Sequence, residues 1–397
     1  MFLWDMRALL FIVGVLTLLV PEILRVYYIM PFPGSQADEP TGLQQVRIAY
    51  WLHHNIWWIR LIGLALAIGP FVYYLRRGGW GKRVAVLLPA ALCALVYYAF
   101  NFKFMADKMF LPATVKIMAS SPGTFSQGEG ESLVIAVEHN GDARAYPIEL
   151  IGYHHQIMDT VGGAPVMVTY CTVCRTGRAW KPEVDGKAET FRLVGMDHFN
   201  AMFEDSRTKS WWRQATGECI VGPLAGAHLQ EMPSAQYTLA DFAQQHPNGL
   251  VFQPDPRFAA DYAALNGFDE GTIESGLEYR DTASWQMKSW VVGIEIGNIA
   301  RAYDWNDLSA LGSIEDTLDG KLIRLMLKSD DAGFMADSVV TWIHTSQIDP
   351  SLLKMGGIDT IALAQETSFF PIPAYQEFWH SWRTFHPNTT RYEPKPR

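Results

Sequence analysis

Long apolar runs of the chain are concentrated before about residue 110, and shorter apolar stretches alternate with polar ones after it. Three runs stand out, at residues 8–30, 48–75 and 84–100. Each is long enough, at about 1.5 Å per helical residue, to cross the roughly 30 Å of hydrocarbon in a bilayer. No small-residue cleavage site follows the first run and two more runs come after it, which argues against a cleavable signal peptide. The pattern predicts three N-terminal transmembrane α-helices.

The two loops between these runs carry charges of opposite sign. The second loop holds four basic residues and no acidic one, whereas the first holds two acidic residues. Because cytoplasmic loops are enriched in Lys and Arg, the N-terminus is expected in the cytoplasm and the C-terminal part outside it. We therefore expect a multi-pass protein in contact with the lipid bilayer of a bacterial inner (cytoplasmic) membrane, with its C-terminal domain on the periplasmic or extracellular side.

Ionisable side chains lie within or near the apolar runs, and they include His53, His54 and Arg60. Such residues are functional candidates by default, for example for contact with a quinone or a haem. The alternative is that they lie toward the outer ends of the helices, in a belt of tryptophans, where long side chains reach the interface. The sequence favours this second interpretation and keeps the three residues as membrane-end candidates.

The part of the chain after residue 110 is acidic, with 22 basic and 36 acidic residues. Its charge repels phosphates, so no nucleic acid partner is expected. Three cysteines in this part are too few for a disulfide scaffold. No nucleotide-binding loop stands out, so no nucleotide cofactor is indicated, and the sequence does not decide whether the protein is an enzyme.

Segments of the acidic part repeat one another. Residues 137–146 reappear as residues 294–303, and a His-Pro-Asn sequence occurs at residues 246–248 and again at 386–388. Such self-similarity indicates two copies of one structural unit. The predicted organisation is a membrane anchor at residues 1–110, a first soluble lobe at 111–257, a connector at 258–290 and a second lobe at 291–397.

The pattern inside the lobes is mostly that of β-strands. Asn140-Gly141 between two apolar stretches is a strong hairpin signal, and residues 164–170 form a β-branched run typical of a buried strand. One helix is predicted near residues 238–245, with a counterpart near 374–383. The expected fold class is therefore three transmembrane α-helices followed by a β-rich α+β soluble domain made of two duplicated lobes.

Candidate chemistry is concentrated at Cys171-Thr172-Val173-Cys174, directly after the buried strand. A C-x-x-C sequence indicates a redox dithiol, half of a metal site or a short-loop disulfide. Gly177 and Pro182 leave no room for the long helix of a thioredoxin-type site. The sequence instead predicts a tight turn with backbone N–H groups directed at sulfur, as in metal knuckles.

Further ligands for a metal are sought in the same lobe. The candidates are His154 and His198, followed by His155, Met196 and Met202. The duplication offers an internal comparison, because at the offset of the first repeat none of the cysteines and histidines has a counterpart in the second lobe. Two thiolates, an imidazole and a thioether suit copper, with zinc as the competitor.

The sequence resembles a known family at these positions. Residues 143–147, 159–163 and 168–174, together with Gly222-Pro223-Leu224-Ala225-Gly226 and His246-Pro247, are similar to the bacterial and archaeal family called domain of unknown function 3179. The resemblance covers about residues 130–390 and identifies the chain as a membrane-anchored member. It implies that His154 and the two cysteines match positions typical of the family, and it implies no established reaction.

Three functions remain open at this point. The first is a metal-binding or metal-redox domain with Cys171, Cys174, His154 and His198 as ligands. The second is a metal-free thiol–disulfide oxidoreductase with a membrane or periplasmic redox partner, exchanging electrons through the His53, His54 and Arg60 end of the helices. The third is a non-enzymatic module that binds a ligand or partner and contains a structural disulfide.

Overall fold

The computed structural model describes residues 6–31, 36, 41–114, 116–120, 129–274, 276–328, 338–344 and 369–394. Three long helices come first, namely α1 (Met6–Tyr27), α2 (Thr41–Arg77) and α3 (Trp80–Phe102). All three are long and apolar enough to cross a membrane. The prediction of three N-terminal apolar helices is confirmed, and these helices suggest a membrane protein.

The helical part is packed directly against the strand-rich part. Helix α2 begins at Thr41, before the apolar run used for the prediction, because its first turns gain contacts with the soluble part. Val46 packs there in one buried cluster with Trp211. At the end of α1, the backbone N–H of Met196 donates to the carbonyl oxygen of Ile29 at 2.6 Å. The two parts therefore share a core.

The first lobe consists of short strands in four small sheets. The strands are β1 (Met118–Ser120), β2 (Leu133–His139), β3 (Asp142–Pro147), β4 (Gln156–Val161), β5 (Ala164–Cys171), β6 (Thr176–Trp180), β7 (Glu183–Val184), β8 (Lys187–Ala188), β9 (Phe191–Asp197), β10 (Asn200–Asp205), β11 (Trp211–Arg213), β12 (Cys219–Val221), β13 (Ser234–Thr238) and β14 (Leu250–Phe252). The sheet orders are β1-β14-β3-β2-β13, β4-β5-β6, β12-β11-β10-β9 and β7-β8. The helices are α4 (Ala106–Met109), α5 (Ile148–His154) and α6 (Leu239–Gln245).

Local sequence signals explain several of these elements. The hairpin between β2 and β3 turns at Asn140 and Gly141, whose φ angles are 48° and 78°. Left-handed φ at both central residues is what a type I′ turn requires, and Asn-Gly tolerates it. Helix α6 begins after Thr238, whose side chain accepts a hydrogen bond from the backbone N–H of Asp241. The predicted hairpin, buried strand and first helix are confirmed.

The second lobe contains two four-stranded sheets. After α7 (Ala259–Ala263) in the connector come β15 (Trp290–Ile296), β16 (Ile299–Asp304), α8 (Trp305–Leu311), β17 (Ser313–Leu318), β18 (Lys321–Lys328), β19 (Ser338–His344), β20 (Phe369–Pro371), β21 (Tyr375–Phe378), α9 (Trp379–Phe385) and β22 (Thr390–Arg391). The sheet orders are β21-β15-β16-β22 and β17-β18-β19-β20. The helix predicted near residues 374–383 begins later, because residues 375–378 pair with β15 as a strand.

Strand pairing in the two lobes follows one pattern. In the first, β13, β2 and β3 are antiparallel neighbours and β14 joins β3 in parallel. In the second, β21, β15, β16 and β22 repeat these orientations. Asp159 accepts hydrogen bonds from Arg144 and Tyr146 at 2.9 and 2.8 Å. The same two contacts recur among Arg301, Tyr303 and Asp316. A duplicated origin of the lobes stays a prediction.

Polar contacts join strand β6 of the first lobe to β21 and α9 of the second. Arg178 forms an ion pair with Glu377, and only 3% and 1% of the two side chains are exposed. The Arg178 guanidinium also lies 3.6 Å from the centre of the Tyr375 ring. The hydroxyl oxygens of Thr176 and Ser381 are 3.2 Å apart. The second lobe therefore lies against the strand that follows the C-x-x-C turn.

Candidate thiol and imidazole site

The C-x-x-C sequence forms the turn of a β-hairpin. Strands β5 and β6 pair antiparallel, and Cys171 is opposite Thr176 in the register. Arg175 adopts a φ of 55°, which closes the turn just before β6 begins. The predicted tight turn, in place of the long helix of a thioredoxin-type site, is confirmed. Both cysteine side chains lie in the same buried core.

Both cysteines are free thiols and are fully buried. Burial raises the pKa of the Cys171 thiol, but hydrogen bonds from the Cys174 side chain and from the backbone of Cys174 and Ala201 outweigh it and lower that pKa below its ordinary value. Burial and the neighbouring Cys171 raise the pKa of Cys174. The two thiols are therefore unequal, and Cys171 is the more readily ionised.

An imidazole from the second lobe completes this arrangement. His380 lies in the first turn of α9, and its Nε2 is 3.8 Å from the Cys174 Sγ. Its Nδ1 is 3.0 Å from the carbonyl oxygen of Met287, to which it donates as Nδ1–H. Burial, assisted by nearby Lys288, lowers the pKa of His380 to about 3. The imidazole is therefore neutral, with its Nε2 lone pair directed at sulfur.

The connector supplies a buried cation beside the thiols. The Nζ of Lys288 donates to the carbonyl oxygen of Val173, between the two cysteines. Burial lowers the pKa of this ammonium, and the sulfurs of Cys174 and Cys171 oppose the shift. The hydroxyl of Thr172 donates to Glu278 at 3.2 Å. Both residues between the cysteines are thus held by the connector.

His198 lies close to this site but is bonded elsewhere. Its Nδ1 is 2.6 Å from a carboxylate oxygen of Asp197, which also pairs with Arg213. The next residue, Phe199, contacts the thiols instead, and its carbonyl oxygen is 3.5 Å from the Cys171 Sγ. The Phe199 ring is also in edge contact with the ring of His380. His198 therefore supports the wall of the site.

His154 and His155 belong to the aromatic packing at the base of the first lobe. The Nδ1 of His154 is 2.6 Å from the carbonyl oxygen of Leu111, and its Nε2 is 2.8 Å from the hydroxyl of Tyr262. His155 lies against Phe110, with ring centres 4.5 Å apart, and burial lowers its pKa to about 4. Both ring nitrogens of His154 are thus engaged by groups other than the thiols.

The two candidate methionines fall in different clusters. Met196 packs in the same apolar core as Cys171 and Cys174. Met202 packs in a separate core with Val46 of α2 and Trp211. Met196 therefore shares the apolar core of the thiols, whereas Met202 packs against helix α2.

The membrane-end candidates have partners within the helical part or, for His53, in the first lobe. Arg60 pairs with buried Glu22 at 2.5 Å and donates to Asn101 at 2.8 Å. The Nε2 of His53 is 3.4 Å from a guanidinium nitrogen of Arg192. His54 bonds through Nδ1 to a carbonyl oxygen one turn earlier in α2. Each of these side chains thus has a structural contact.

Among the described residues, three ligands for a metal ion are not already in position. Within the described ranges, no group of three or more His, Cys, Asp or Glu side chains is placed to hold a metal ion. Cys171, Cys174 and His380 are neighbours whose sulfur and nitrogen atoms would need to converge. Sequence reasoning missed His380. The second repeat aligns this residue with Ala240 of the first lobe, so a search for residues present only in the second lobe would have found it.

Fold and site together define a class of protein, a strand-rich domain with a buried pair of thiols that follows three helices suited to a bilayer. The model of a family described as "Protein of unknown function (DUF3179)" matches residues 116–389. The match covers more than half of the chain, and the protein belongs to this family, as the sequence resemblance predicted. No curated protein and no solved structure matches the chain.

Proposed function

We propose that the C-x-x-C turn binds one soft metal ion, copper(I) in preference to zinc, through Cys171, Cys174 and His380. The observation that carries the proposal is the orientation of His380. Its Nδ1–H donates to a backbone carbonyl, and its Nε2 faces the Cys174 Sγ at 3.8 Å. Histidines that bind metals almost always donate their other ring N–H to such a partner.

The distance between imidazole and thiol fits an ion placed between them. Metal bonds of about 2.3 Å to sulfur and about 2.0 Å to nitrogen, at an angle of roughly 110–120°, separate the two atoms by about 3.6–3.8 Å. A modest shift of the Cys171 side chain brings the second thiolate to the same ion. His154 has no place in this proposal, because both of its ring nitrogens are bonded to other groups. His198 is left out because its neighbour Phe199 is the residue that contacts Cys171.

Copper is favoured over zinc by the ligand set. Structural zinc sites almost always have four ligands, whereas copper(I) is stable with two or three soft ones and thiolate selects it. The described residues around the turn offer two thiols and one imidazole. The lowered pKa of Cys171 makes it easier for this thiol to lose its proton to an incoming metal ion.

A thiol–disulfide oxidoreductase is the second candidate, and the unequal pKa shifts of the two thiols favour it. Cys171 is the more readily ionised thiol, and His380 is placed to accept a hydrogen bond from Cys174. Exchange with a protein substrate requires that the attacking thiolate of Cys171 reach a disulfide sulfur of the substrate. Both sulfurs are fully buried, whereas a metal ion is small enough to enter with little opening. Burial therefore ranks this function below metal binding.

The cellular position of the site is part of the proposal. The end of α2 and the start of α3 are basic, with Arg76, Arg77, Lys82 and Arg83. By the positive-inside rule, α1–α3 are a multi-pass anchor in a bacterial inner membrane and the thiol site faces the periplasm or the exterior. Metal binding there would also protect the thiols from oxidation, since the ligand form is thiolate.

Metal content of the full-length protein tests the proposal. We expect about one copper per chain after purification in detergent from copper-supplemented cells, and none in the double variant Cys171→Ser/Cys174→Ser, because serine hydroxyls are poor ligands for copper(I). The readout is elemental analysis together with titration of free thiols.

Cys219→Ser is the matched control, since Cys219 is also buried and shares the core of the thiol pair. It should keep the metal. A wild-type protein without copper or zinc whose thiols all titrate as free would overturn the proposal. A metal-free protein with Cys171 and Cys174 joined in a disulfide would replace it with the oxidoreductase.

A further inference from the structure

A buried ammonium lies beside two sulfurs that would carry negative charge in a metal complex. Lys288 is the second-last residue of the connector before β15, and only 6% of it is exposed. Its Nζ donates to the carbonyl oxygen of Val173, the residue that precedes Cys174. The ammonium also lies 4.7 Å from the centre of the Phe378 ring. These contacts fix a positive charge at the wall of the site.

Other charged groups around Lys288 come from two elements. From the connector, Asp281 accepts a hydrogen bond from the Lys288 backbone N–H at 2.8 Å, and Glu278 accepts one from Thr172. From α9, Arg383 adds a positive charge near His380. All of these charges are the same whichever metal is bound. They act on the ratio of the two affinities as Lys288 does, but no substitution at Lys288 changes them, so they cancel when a Lys288 variant is compared with the wild type.

The two candidate ions differ by one unit of charge. Copper(I) with two thiolates and a neutral imidazole is a complex of charge −1, whereas the zinc(II) complex is neutral. The ammonium of Lys288 stabilises the anionic copper(I) complex. The zinc(II) complex carries no net charge for the ammonium to attract. In a buried site, where screening by water is weak, this difference is large.

We infer that Lys288 strengthens the metal preference of the thiol site, by favouring a monovalent ion over a divalent one. The inference rests on the proposed function. In this role Lys288 does not contact the metal ion. It changes the ratio of the copper(I) and zinc(II) affinities and leaves the ligand set unchanged.

The test compares copper(I) and zinc(II) affinities of the full-length protein in detergent. Each is measured by competition with a chromophoric chelator of known affinity, in the same buffer. We expect Lys288→Met to lower the ratio of copper(I) to zinc(II) affinity by about 10- to 100-fold, as expected for one unit charge roughly 7 Å away at an effective dielectric constant of about 20. Lys288→Arg keeps the charge, so its ratio of affinities should stay within a few-fold of the wild-type ratio.

The ratio distinguishes charge from structural damage. A loosened site weakens both ions together and leaves the ratio unchanged. Lys288→Gln, which keeps a donor for the Val173 carbonyl, should shift the ratio as Lys288→Met does, and it serves if the methionine variant does not fold. An unchanged ratio in both uncharged variants would overturn the inference while the proposed function stands. A wild-type protein that binds neither ion would overturn both.

Discussion

Replacing His380 by glutamine is expected to weaken copper(I) binding by at least about 10- to 100-fold, the loss typical of removing even an outer partner of a metal site. Glutamine is close to histidine in size and can still donate to the Met287 carbonyl, but it offers no imidazole nitrogen to a soft ion. The structural contact of residue 380 is thereby largely kept while its proposed ligand is removed.

A second histidine, at the opposite end of the same helix, provides the matched control. His386 follows α9, stacks on Trp382 with ring centres 3.7 Å apart and faces Glu295. It lies away from the thiols, so His386→Gln should leave copper(I) affinity within about two- to three-fold of the wild type while costing some stability. Equal losses of affinity in the two variants would show that His380 acts through packing, and a fully retained affinity in His380→Gln would remove it from the ligand set.

The contrast between the cysteines and His380 shows what the sequence can predict of this site. The turn was predictable because its causes are local, namely a β-branched run before Cys171 and a glycine and a proline soon after Cys174. His380 is 206 residues from Cys174 in the chain. Its position depends on how the second lobe packs on the first, and no local pattern encodes that packing.

His154 illustrates the opposite case, a residue near the cysteines in sequence whose side chain is bonded elsewhere. Its partners, Leu111 and Tyr262, are 43 and 108 residues away in the chain. Buried polar atoms are almost always satisfied by some partner, but the sequence does not say which one. Fold-level signals, such as the Asn-Gly hairpin and the three apolar runs, depend on few neighbours and were therefore more reliable than the ligand set.

The ion pair between the lobes carries the second large prediction. Replacing Arg178 by methionine is expected to lower the free energy of unfolding by about 3–5 kcal/mol, because it leaves a buried carboxylate at Glu377 without its cation. The two side chains are almost inaccessible to water, so solvent does not compensate for the loss. Methionine keeps much of the apolar contact with the Tyr375 ring. Urea unfolding in detergent, followed by tryptophan fluorescence, measures the change.

Removing both charges separates the cost of an unpaired carboxylate from the worth of the pair. Replacement of a whole buried pair by apolar residues is often neutral or stabilising, so Arg178→Met/Glu377→Met should recover most of the loss.

An exposed ion pair in the second lobe supplies the comparison. Glu315 and Arg324 bond across β17 and β18 with side chains that are 54% and 36% exposed. Glu315→Gln should therefore cost less than about 1 kcal/mol. If Arg178→Met were as mild as that, the lobes would have to be held together by their apolar contacts and backbone hydrogen bonds, and His380 would keep its place beside Cys174 without the ion pair. A large loss that the double variant reverses would instead make this pair the contact that fixes the lobes, and with them the imidazole, against the thiols.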